Sequence, residues 1–483
     1  MRTTKYAMFI AFTIIFTAVF SLSSSALAAS DDQANSDAVP QDSREFFVDR
    51  EKLPFDAIPG LPSERSWGVL RGAGFRIEVP ANWNGDLVMY THGFRGEIAE
   101  LTVDNPPLRT WFLANGYAWA ASSYDKNYYD VRSGVRSTNA LAKYFKRRYG
   151  DPGRTFITGF SMGGHIAAAA VELSTAPPCS GDEQKCQLRQ ERHERTNVLY
   201  DGAVPMCGVM GDTALFDYFG DYSYAAEALA GWPSQFPPTI SVDEYRVTAL
   251  PFIIGSLFAD NGAGFPAQVN ERGQQLKDLL EQISGGERPV FDVAFPAFQN
   301  LLFSFSGTDG TVTGILPGNV YDNITRLYQL DGDPELSNEE LVLNDTIIRI
   351  AADIGVNDFR RGRLERVPVI SGKIDIPVVS VHTLGDLFVP FSMQQIYARR
   401  VAQRGNSDWL VSRAVRDVGH CAFSPAELVE AFADMVQWVD TGVKPAGDAI
   451  LDPEVVAQPD FGCQFTRGDR LAPFVADCAD LAD

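Results

Sequence analysis

Short apolar runs alternate with amphipathic helical patterns over two stretches of the chain, residues 65–207 and 371–440. The first stretch begins with three apolar segments of strand length, at 75–79, 87–90 and 117–121. Apolar residues between 132 and 149 then recur at helical spacing among charges, and a further strand is predicted from residue 155. This alternation predicts an α/β fold with a mostly parallel central sheet and helices on both faces.

The second stretch resumes the same order after a long interruption. Strands are predicted at 376–381 and 409–415, and a helix at 391–404 lies between them. Another helix is predicted to begin at Ser424, because Ser424-Pro425-Ala426-Glu427 has a capping serine, a proline at the first position and a glutamate that completes the capping box. The two stretches together are therefore predicted to form one catalytic domain.

The interruption, residues 208–370, is rich in Phe, Pro and Gly and is predicted to be a large cap or lid insertion. Within it, one set of apolar side chains steps by three and four, as on one side of a helix: Phe291, Phe295, Phe298, Leu302 and Phe305. Such a stripe is either the insertion's own core or a hydrophobic surface for substrate.

The two ends of the chain differ from the rest. Arg2 and Lys5 precede an uncharged apolar run, and Ala26-Leu27-Ala28 has the small-x-small form that signal peptidase reads. Residues 1–29 are therefore predicted to be a signal peptide cleaved near Ala28 or Ala29, which makes the protein secreted or periplasmic; a retained amphipathic anchor is the alternative. Residues 30–64 are predicted to be an extended acidic leader, and residues 441–483 a disulfide-stapled tail.

The chain is strongly acidic, with 41 Lys and Arg against 62 Asp and Glu. Removing the two signal-peptide cations would change the net charge from −21 to 39 − 62 = −23. Such a surface argues against nucleic acid and anionic membranes as partners. No stretch after the signal peptide is apolar enough to predict stable membrane insertion. The expected partner is a small-molecule or polymeric substrate, and the oligomeric state is left open.

The cysteines are expected to form disulfides rather than a metal site. The count is even in a chain predicted to be exported, and no C-x-x-C pair is available for a zinc ribbon: Cys179, Cys186, Cys207, Cys421, Cys463 and Cys478. No metal ligands are therefore predicted. Several connectivities remain possible from the residues alone.

Gly159-Phe160-Ser161-Met162-Gly163 has the G-x-S-x-G form of a nucleophile elbow. A predicted strand precedes it and a helix of small residues follows it, so that Ser161 would sit on a tight strand-to-helix turn with its oxygen exposed. This context predicts Ser161 as a nucleophile. The alternative is a glycine turn with an incidental serine.

A nucleophilic serine needs a base, and His420 is preferred among the five histidines. It follows the predicted strand at 409–415, at the carboxyl end where open α/β sheets place their sites. The other four histidines are predicted to have different roles. His193 is expected to be a solvated surface residue, and His165 is too constrained on its helix to act as the base. His92 is expected to belong to an oxyanion loop, and His382 to be structural.

Asp386 is the predicted acid, because it also follows a strand's carboxyl end and would orient the imidazole. A helix N-cap is the alternative role for Asp386, and Asp417 ranks second as the acid. The predicted oxyanion donors are the backbone N–H groups of Met162 and Phe94, with Arg95 as the alternative register. A plain glycine turn at residues 91–94 is the other interpretation.

His92-Gly93, the Gly159–Gly163 motif, Asp386 and His420, in this order, resemble the α/β-hydrolase superfamily. The resemblance implies an eight-stranded, mostly parallel sheet and acyl transfer through an acyl-enzyme with no cofactor. Cys421, directly after His420, is similar to tannases and feruloyl esterases, in which a disulfide joins the neighbours of the catalytic histidine and serine. The residue before Ser161 is Phe160, so this chain departs from that pattern.

The resemblance favours a Cys207–Cys421 disulfide, with Cys179–Cys186 and Cys463–Cys478 as local pairs. The predicted function is a secreted serine hydrolase that cleaves carboxylic esters of a hydrophobic or aromatic substrate. An amidase or peptidase with the same triad and a non-catalytic binding relative are the alternatives.

Overall fold

An eight-stranded sheet forms the centre of the chain. The computed structural model describes residues 45–96, 98–176, 179, 183–260, 268–301, 318–355, 364–468, 470–471 and 474–481. The strands are β1 (Ser63–Leu70), β2 (Ala73–Pro80), β3 (Leu87–Thr91), β4 (Ala118–Ser122), β5 (Thr155–Phe160), β6 (Gly202–Met206), β7 (Val378–Thr383) and β8 (Leu410–Val415). The predicted signal peptide lies outside the described residues.

The sheet is antiparallel at one end and parallel over the remainder. Its order is β1-β2-β4-β3-β5-β6-β7-β8, with β1, β2 and β4 paired antiparallel and every later pair parallel. Both faces are buried, since Leu87 and Met89 of β3 join one apolar cluster and Val88 and Tyr90 join another. The predicted α/β class with a mostly parallel sheet is therefore confirmed.

Helices cover both faces. In chain order, the α-helices are α1 (Arg109–Ala114), α2 (Val131–Tyr149), α3 (Met162–Ser174), α4 (Glu183–Thr196), α5 (Ala214–Ala230), α6 (Val242–Val247), α7 (Ala249–Leu257), α8 (Glu271–Ser284), α9 (Phe291–Ala294), α10 (Asn338–Thr346), α11 (Ser392–Gln403), α12 (Pro425–Thr441) and α13 (Pro453–Val456). α2 and α3 pack on one face through Phe145 and Ile166, and α1 and α12 pack on the other through Phe112 and Phe432. None of the helices within the described ranges is both long and apolar enough to cross a membrane.

The insertion between β6 and β7 is mainly helical and carries α5 to α10. Phe291, Phe295 and Phe298 are buried in the apolar cluster on the α3 face of the sheet. The stripe does not lie on one α-helix, because α9 ends at Ala294 and a 3₁₀ helix covers Phe295–Leu301. Pro296 lacks an N–H and its ring clashes with the preceding turn, which explains the break. Leu302 and Phe305 lie outside the described residues.

The segment before β1 is short of regular structure but packs firmly. Beyond a 3₁₀ turn at Arg50–Lys52, it buries Leu53 and Phe55 against the sheet. The guanidinium of Arg109 lies 5.0 Å from the Phe55 ring centroid. The interval 45–62 is thus part of the packed molecule, and burial of its apolar side chains explains why.

The C-terminal segment covers the free edge of β8. Asp448 N–H donates to the Ser412 carbonyl (2.8 Å), and Ala414 N–H donates to Asp448 Oδ2 (2.7 Å). Backbone groups on the edge of a sheet otherwise remain open to pairing with another chain. The tail therefore satisfies backbone groups of Ser412 and Ala414 on the edge strand.

A buried glutamate in the insertion should make stability depend on pH. Burial raises the pKa of Glu227, on α5, to about 7. The folded state then binds the proton more tightly than the unfolded chain, whose value is about 4.3, so the free energy of unfolding falls as pH rises from about 4 to about 7. Glu227→Gln should remove about 2–3 kcal/mol of the difference in this free energy between about pH 5 and about pH 8, measured by urea unfolding.

Glu194→Gln is the matched control, because Glu194 is exposed on α4. This variant should keep the pH dependence of the wild type. An unchanged pH dependence in Glu227→Gln would show that the carboxyl group of Glu227 is ionised equally easily in the folded and unfolded chains.

Candidate active site

Ser161 occupies the turn between β5 and α3. Its backbone has φ 59° and ψ −125°, a conformation that non-glycine residues adopt at a cost of roughly 1–3 kcal/mol. Two backbone hydrogen bonds hold it there: Ser161 N–H donates to the Met206 carbonyl (3.0 Å), and Gly164 N–H donates to the Ser161 carbonyl (2.9 Å). The serine therefore sits on a strained strand-to-helix turn, which is the geometry of a nucleophile elbow.

Steric contacts explain why the motif has glycine at positions 159 and 163. A Cβ at Gly159 would overlap Thr91 Oγ1, and a Cβ at Gly163 would overlap the Thr91 carbonyl oxygen. Thr91 Oγ1 in turn donates to the Gly163 carbonyl (2.8 Å), so the end of β3 is tied to the elbow. Larger residues at either glycine would push β3 and the elbow apart.

His420 and Asp386 form a tight pair. His420 Nδ1–H donates to Asp386 Oδ2 at 2.6 Å, because an ionised carboxylate only accepts. Asp386 is fully buried, and its Oδ1 accepts from the backbone N–H groups of Phe388 and Val389 (both 2.9 Å). With the carboxylate held by two amides, the imidazole is fixed in the tautomer that leaves Nε2 unprotonated.

The competing acid is oriented elsewhere. Asp417 Oδ1 accepts from Gly419 N–H (2.9 Å), and Asp417 Oδ2 lies 3.3 Å from Arg470. The geometry thus brings Asp386, and not Asp417, to His420.

The other histidines are engaged by protein groups. His382 Nε2–H donates to the Val389 carbonyl (2.7 Å), and burial lowers the pKa of His382. His165 lies between the Tyr129 hydroxyl (3.0 Å) and the Pro368 carbonyl (2.8 Å), and burial lowers its pKa to about 4. His193 is half-buried and its Nε2 lies 2.8 Å from the carbonyl of Ser174, the last residue of α3, so it is not the solvated residue that the sequence predicted.

The loop after β3 lies directly over the nucleophile. A Cβ placed on Gly93 would come within 3.3 Å of Ser161 Cβ and 3.8 Å of Ser161 Oγ. Over the described ranges, neither Met162 N–H nor Phe94 N–H donates to a protein acceptor. Amides without a protein acceptor are free to donate to the oxygen of a substrate, as an oxyanion hole requires.

Tyr124, which the sequence did not single out, supports this loop. Its ring stacks on His92 with centroids 4.1 Å apart, and its hydroxyl donates to the His92 carbonyl (2.9 Å). Burial lowers the pKa of His92 to about 3, so the ring is neutral at ordinary pH. His92 is therefore a structural part of the loop.

A disulfide links the two halves of the site. Cys207 follows β6 next to Met206, whose carbonyl accepts from Ser161 N–H, and Cys421 follows His420. The described chain also contains Cys179–Cys186 and Cys463–Cys478, so its disulfides are the pairs predicted above. His420 Nε2 lies 3.4 Å from Cys421 Sγ, and no hydrogen bond joins it to Ser161 Oγ in the part of the chain that the structure describes. Catalytic hydrogen bonds of this kind often tighten only when substrate is bound.

An aromatic side chain packs against the imidazole, and others lie behind it and beside the loop after β3. The Phe388 ring meets His420 edge to face at 5.0 Å, and Phe219, from α5 of the insertion, lies 5.8 Å from Phe388. In the loop after β3, Phe94 lies 6.5 Å from Tyr129, which contacts Phe216 of α5 at 5.6 Å. The insertion therefore contributes apolar aromatic surface close to the site.

The chain is similar to several known proteins. No family model matches the chain. It is 23% identical over 408 residues to o-phthalyl amidase from Xanthobacter agilis, covering 78% of this chain and 87% of the amidase. Among solved structures it is similar to an esterase from Aspergillus oryzae (13% identity, TM-score 0.38, covering 77% of this chain and 78% of that chain). Feruloyl esterase B from Aspergillus oryzae is also similar (12% identity, TM-score 0.35, covering 81% and 85%).

The strand order, the strand directions and the elbow after β5 define the fold. It is an α/β-hydrolase-like fold, as the resemblance of the motifs implied.

Proposed function

We propose that the chain is a secreted serine hydrolase that uses Ser161, His420 and Asp386 to cleave carboxylic esters of aromatic or other hydrophobic acids. The observation that carries the proposal is the 2.6 Å hydrogen bond between His420 and the buried Asp386, in the same molecule as a strained serine elbow. A binding protein gains nothing from an aligned base, a buried acid and a serine held on a strained turn. The structure leaves Ser161 only 9% exposed, less open than the sequence predicted.

The proposed reaction follows the roles of these atoms. Ser161 Oγ attacks the acyl carbonyl while His420 Nε2 takes its proton, and Asp386 stabilises the imidazolium that results. The negative charge on the carbonyl oxygen is stabilised by the N–H groups of Met162 and Phe94. His420 then gives the proton to the leaving alcohol. Water, deprotonated by the same base, attacks the acyl-enzyme, and Ser161 regains its proton as the acid leaves.

The aromatic surroundings support the proposed substrate class. Phe388, Phe219 and Phe94 present apolar rings near the imidazole and the oxyanion loop, where the acyl group would lie. Aromatic pairs add about 0.5–1.5 kcal/mol beyond the area that they bury. Amide cleavage is the second candidate, because the relative that is 23% identical over 408 residues is named an amidase.

A matched substrate set tests the proposal. We expect the para-nitrophenyl ester of benzoic acid to be cleaved with a kcat/KM about tenfold above that of the para-nitrophenyl ester of cyclohexanecarboxylic acid. The second acid has a ring of similar size without π electrons. We expect the benzoyl para-nitroanilide to be cleaved more slowly than the ester, because its amine is the poorer leaving group. A higher kcat/KM for the anilide than for the ester would favour amidase activity over esterase activity. Equal kcat/KM values for the benzoyl and cyclohexanecarbonyl esters would refute the preference for aromatic acids.

The disulfides support the proposal that the protein is exported. Covalent pairs such as Cys207–Cys421 and Cys463–Cys478 form and persist in oxidising compartments. This supports the predicted secretion, which N-terminal sequencing of protein from the culture medium or periplasm would test by finding a start near residue 29 or 30.

A further inference from the structure

Arg288 reaches from the insertion to the loop that carries Asp386. It follows α8, is 4% exposed, and its Nε–H donates to the Leu384 carbonyl at 2.7 Å, two residues before Asp386. We propose that Arg288 is a positioning residue, which holds this acid loop so that Asp386 meets His420. The inference rests on the proposed function, since it concerns how the same acid is placed.

The guanidinium is held rigidly by its own segment. One terminal nitrogen donates to the Gly286 carbonyl (2.7 Å), the other donates to Ser284 Oγ (2.9 Å), and the group lies 4.9 Å from the Phe291 ring centroid. Because these contacts fix the orientation of the planar guanidinium group, its Nε–H is directed at the Leu384 carbonyl. Its hydrogen bond to Leu384 therefore transmits the position of the insertion to the acid loop.

The acid loop is held from two sides. On the β8 side, Leu384 N–H donates to the Val415 carbonyl and Gly385 N–H donates to the Asp417 carbonyl (both 2.8 Å). On the insertion side, a Cβ on Gly385 would come within 2.9 Å of Val290 Cγ1, which shows how closely the segment after Arg288 packs. The loop is thus clamped between the sheet and the insertion.

The charge of Arg288 argues against a packing role. Burial lowers its pKa to about 10, so it stays protonated at neutral pH, and the groups whose charge acts on it are Glu281, Tyr218 and Asp386. In the described ranges no carboxylate lies within ion-pair distance of it. A buried cation without an ion pair stabilises the folded state less than an apolar side chain of the same size would. What an apolar side chain cannot supply is the hydrogen bond to the acid loop.

It follows that the insertion is more than a cover over the sheet. The segment from Gly285 to Phe291 completes the site, because without it the Leu384 carbonyl would lose its buried donor. Any movement of the insertion that admits substrate must leave this segment in place.

The test compares Arg288→Met with Arg349→Met. Arg349 is also an arginine of the insertion that donates to backbone carbonyls, those of Asn323 (3.0 Å) and Asn344 (2.9 Å), and it lies over the Tyr328 ring, but no contact joins it to the acid loop within the described residues. With the benzoyl ester, Arg288→Met should lower kcat about 10–100-fold with KM changed less than about threefold. Arg349→Met should keep kcat within about twofold of the wild type.

Two further measurements separate positioning from general packing. Millimolar guanidinium should restore part of kcat in Arg288→Ala and have no such effect in Arg349→Ala. Hydrogen–deuterium exchange at the Phe388 and Val389 amides, which bind Asp386, should be faster in Arg288→Met alone. This exchange needs no reaction, so it decides the positioning role even if the wild type hydrolyses no ester, an outcome that would refute only the proposed function. Wild-type kcat and unchanged exchange in Arg288→Met would overturn the inference.

Discussion

Ser161→Ala should lower kcat by about 10⁴–10⁶, and His420→Ala should lower it by a similar factor. In the proposed mechanism Ser161 Oγ attacks the substrate, and His420, aligned by its 2.6 Å hydrogen bond to Asp386, is the base. Because nucleophile and base act as a unit, the double variant should be no slower than either single variant. The residual rate would come from the oxyanion donors and substrate binding alone.

The measurement is hydrolysis of the benzoyl ester together with labelling by a fluorophosphonate. In the wild type the label should map to Ser161 by mass spectrometry, and His420→Ala should label far more slowly. His193→Ala is the matched control, because His193 lies half-buried on α4 and its partners are Ser174 and Asn197. Full activity in a folded Ser161→Ala variant would refute the proposed mechanism, and a loss of activity in His193→Ala would point to general damage from removing a histidine.

Replacing Cys207 and Cys421 together by alanine should reduce both stability and activity. The bond closes a loop of 214 residues, for which chain entropy predicts a stabilisation of about 5 kcal/mol. Cys207 has φ 43° and Cys421 has φ 56°, left-handed conformations that cost non-glycine residues roughly 1–3 kcal/mol each. Without the bond both turns can relax. Since Cys421 follows His420 directly, the base should move and kcat should fall about 100-fold.

The other disulfides provide graded controls. Cys463–Cys478 closes 15 residues and Cys179–Cys186 closes seven, so their removal should lower the free energy of unfolding by about 3 and about 2 kcal/mol. Neither bond touches His420, so kcat should stay within about twofold of the wild type. Chemical denaturation under non-reducing conditions measures the first effect and ester hydrolysis the second. An order of stabilities unrelated to loop length, or wild-type kcat without Cys207–Cys421, would contradict this account.

The features that the sequence predicted well depend on neighbours in the chain. Strands β2 to β5, β7 and β8 and helices α2 and α11 follow from the apolar spacing, whereas β1, α1 and α4 were not predicted. The Ser424 capping box forms as its residue types predict. The elbow is also local, since its two glycines and strained serine lie within five consecutive residues. In such cases the sequence contains all the groups that interact, and sterics and hydrogen bonding within one turn decide the conformation.

Tertiary structure decided most contacts between distant segments; the Cys207–Cys421 disulfide was predicted beforehand from a resemblance. Asp386 and Asp417 both follow strands, and only the packing of Gly419 and Arg470 around Asp417 leaves Asp386 to bind His420. Nothing in the sequence around Arg288 marks it, because its partner Leu384 lies 96 residues away and the contact exists only after the insertion has folded onto the sheet. Sequence patterns record which side chains become buried, whereas the choice of partner depends on which buried groups the completed fold places within hydrogen-bonding distance.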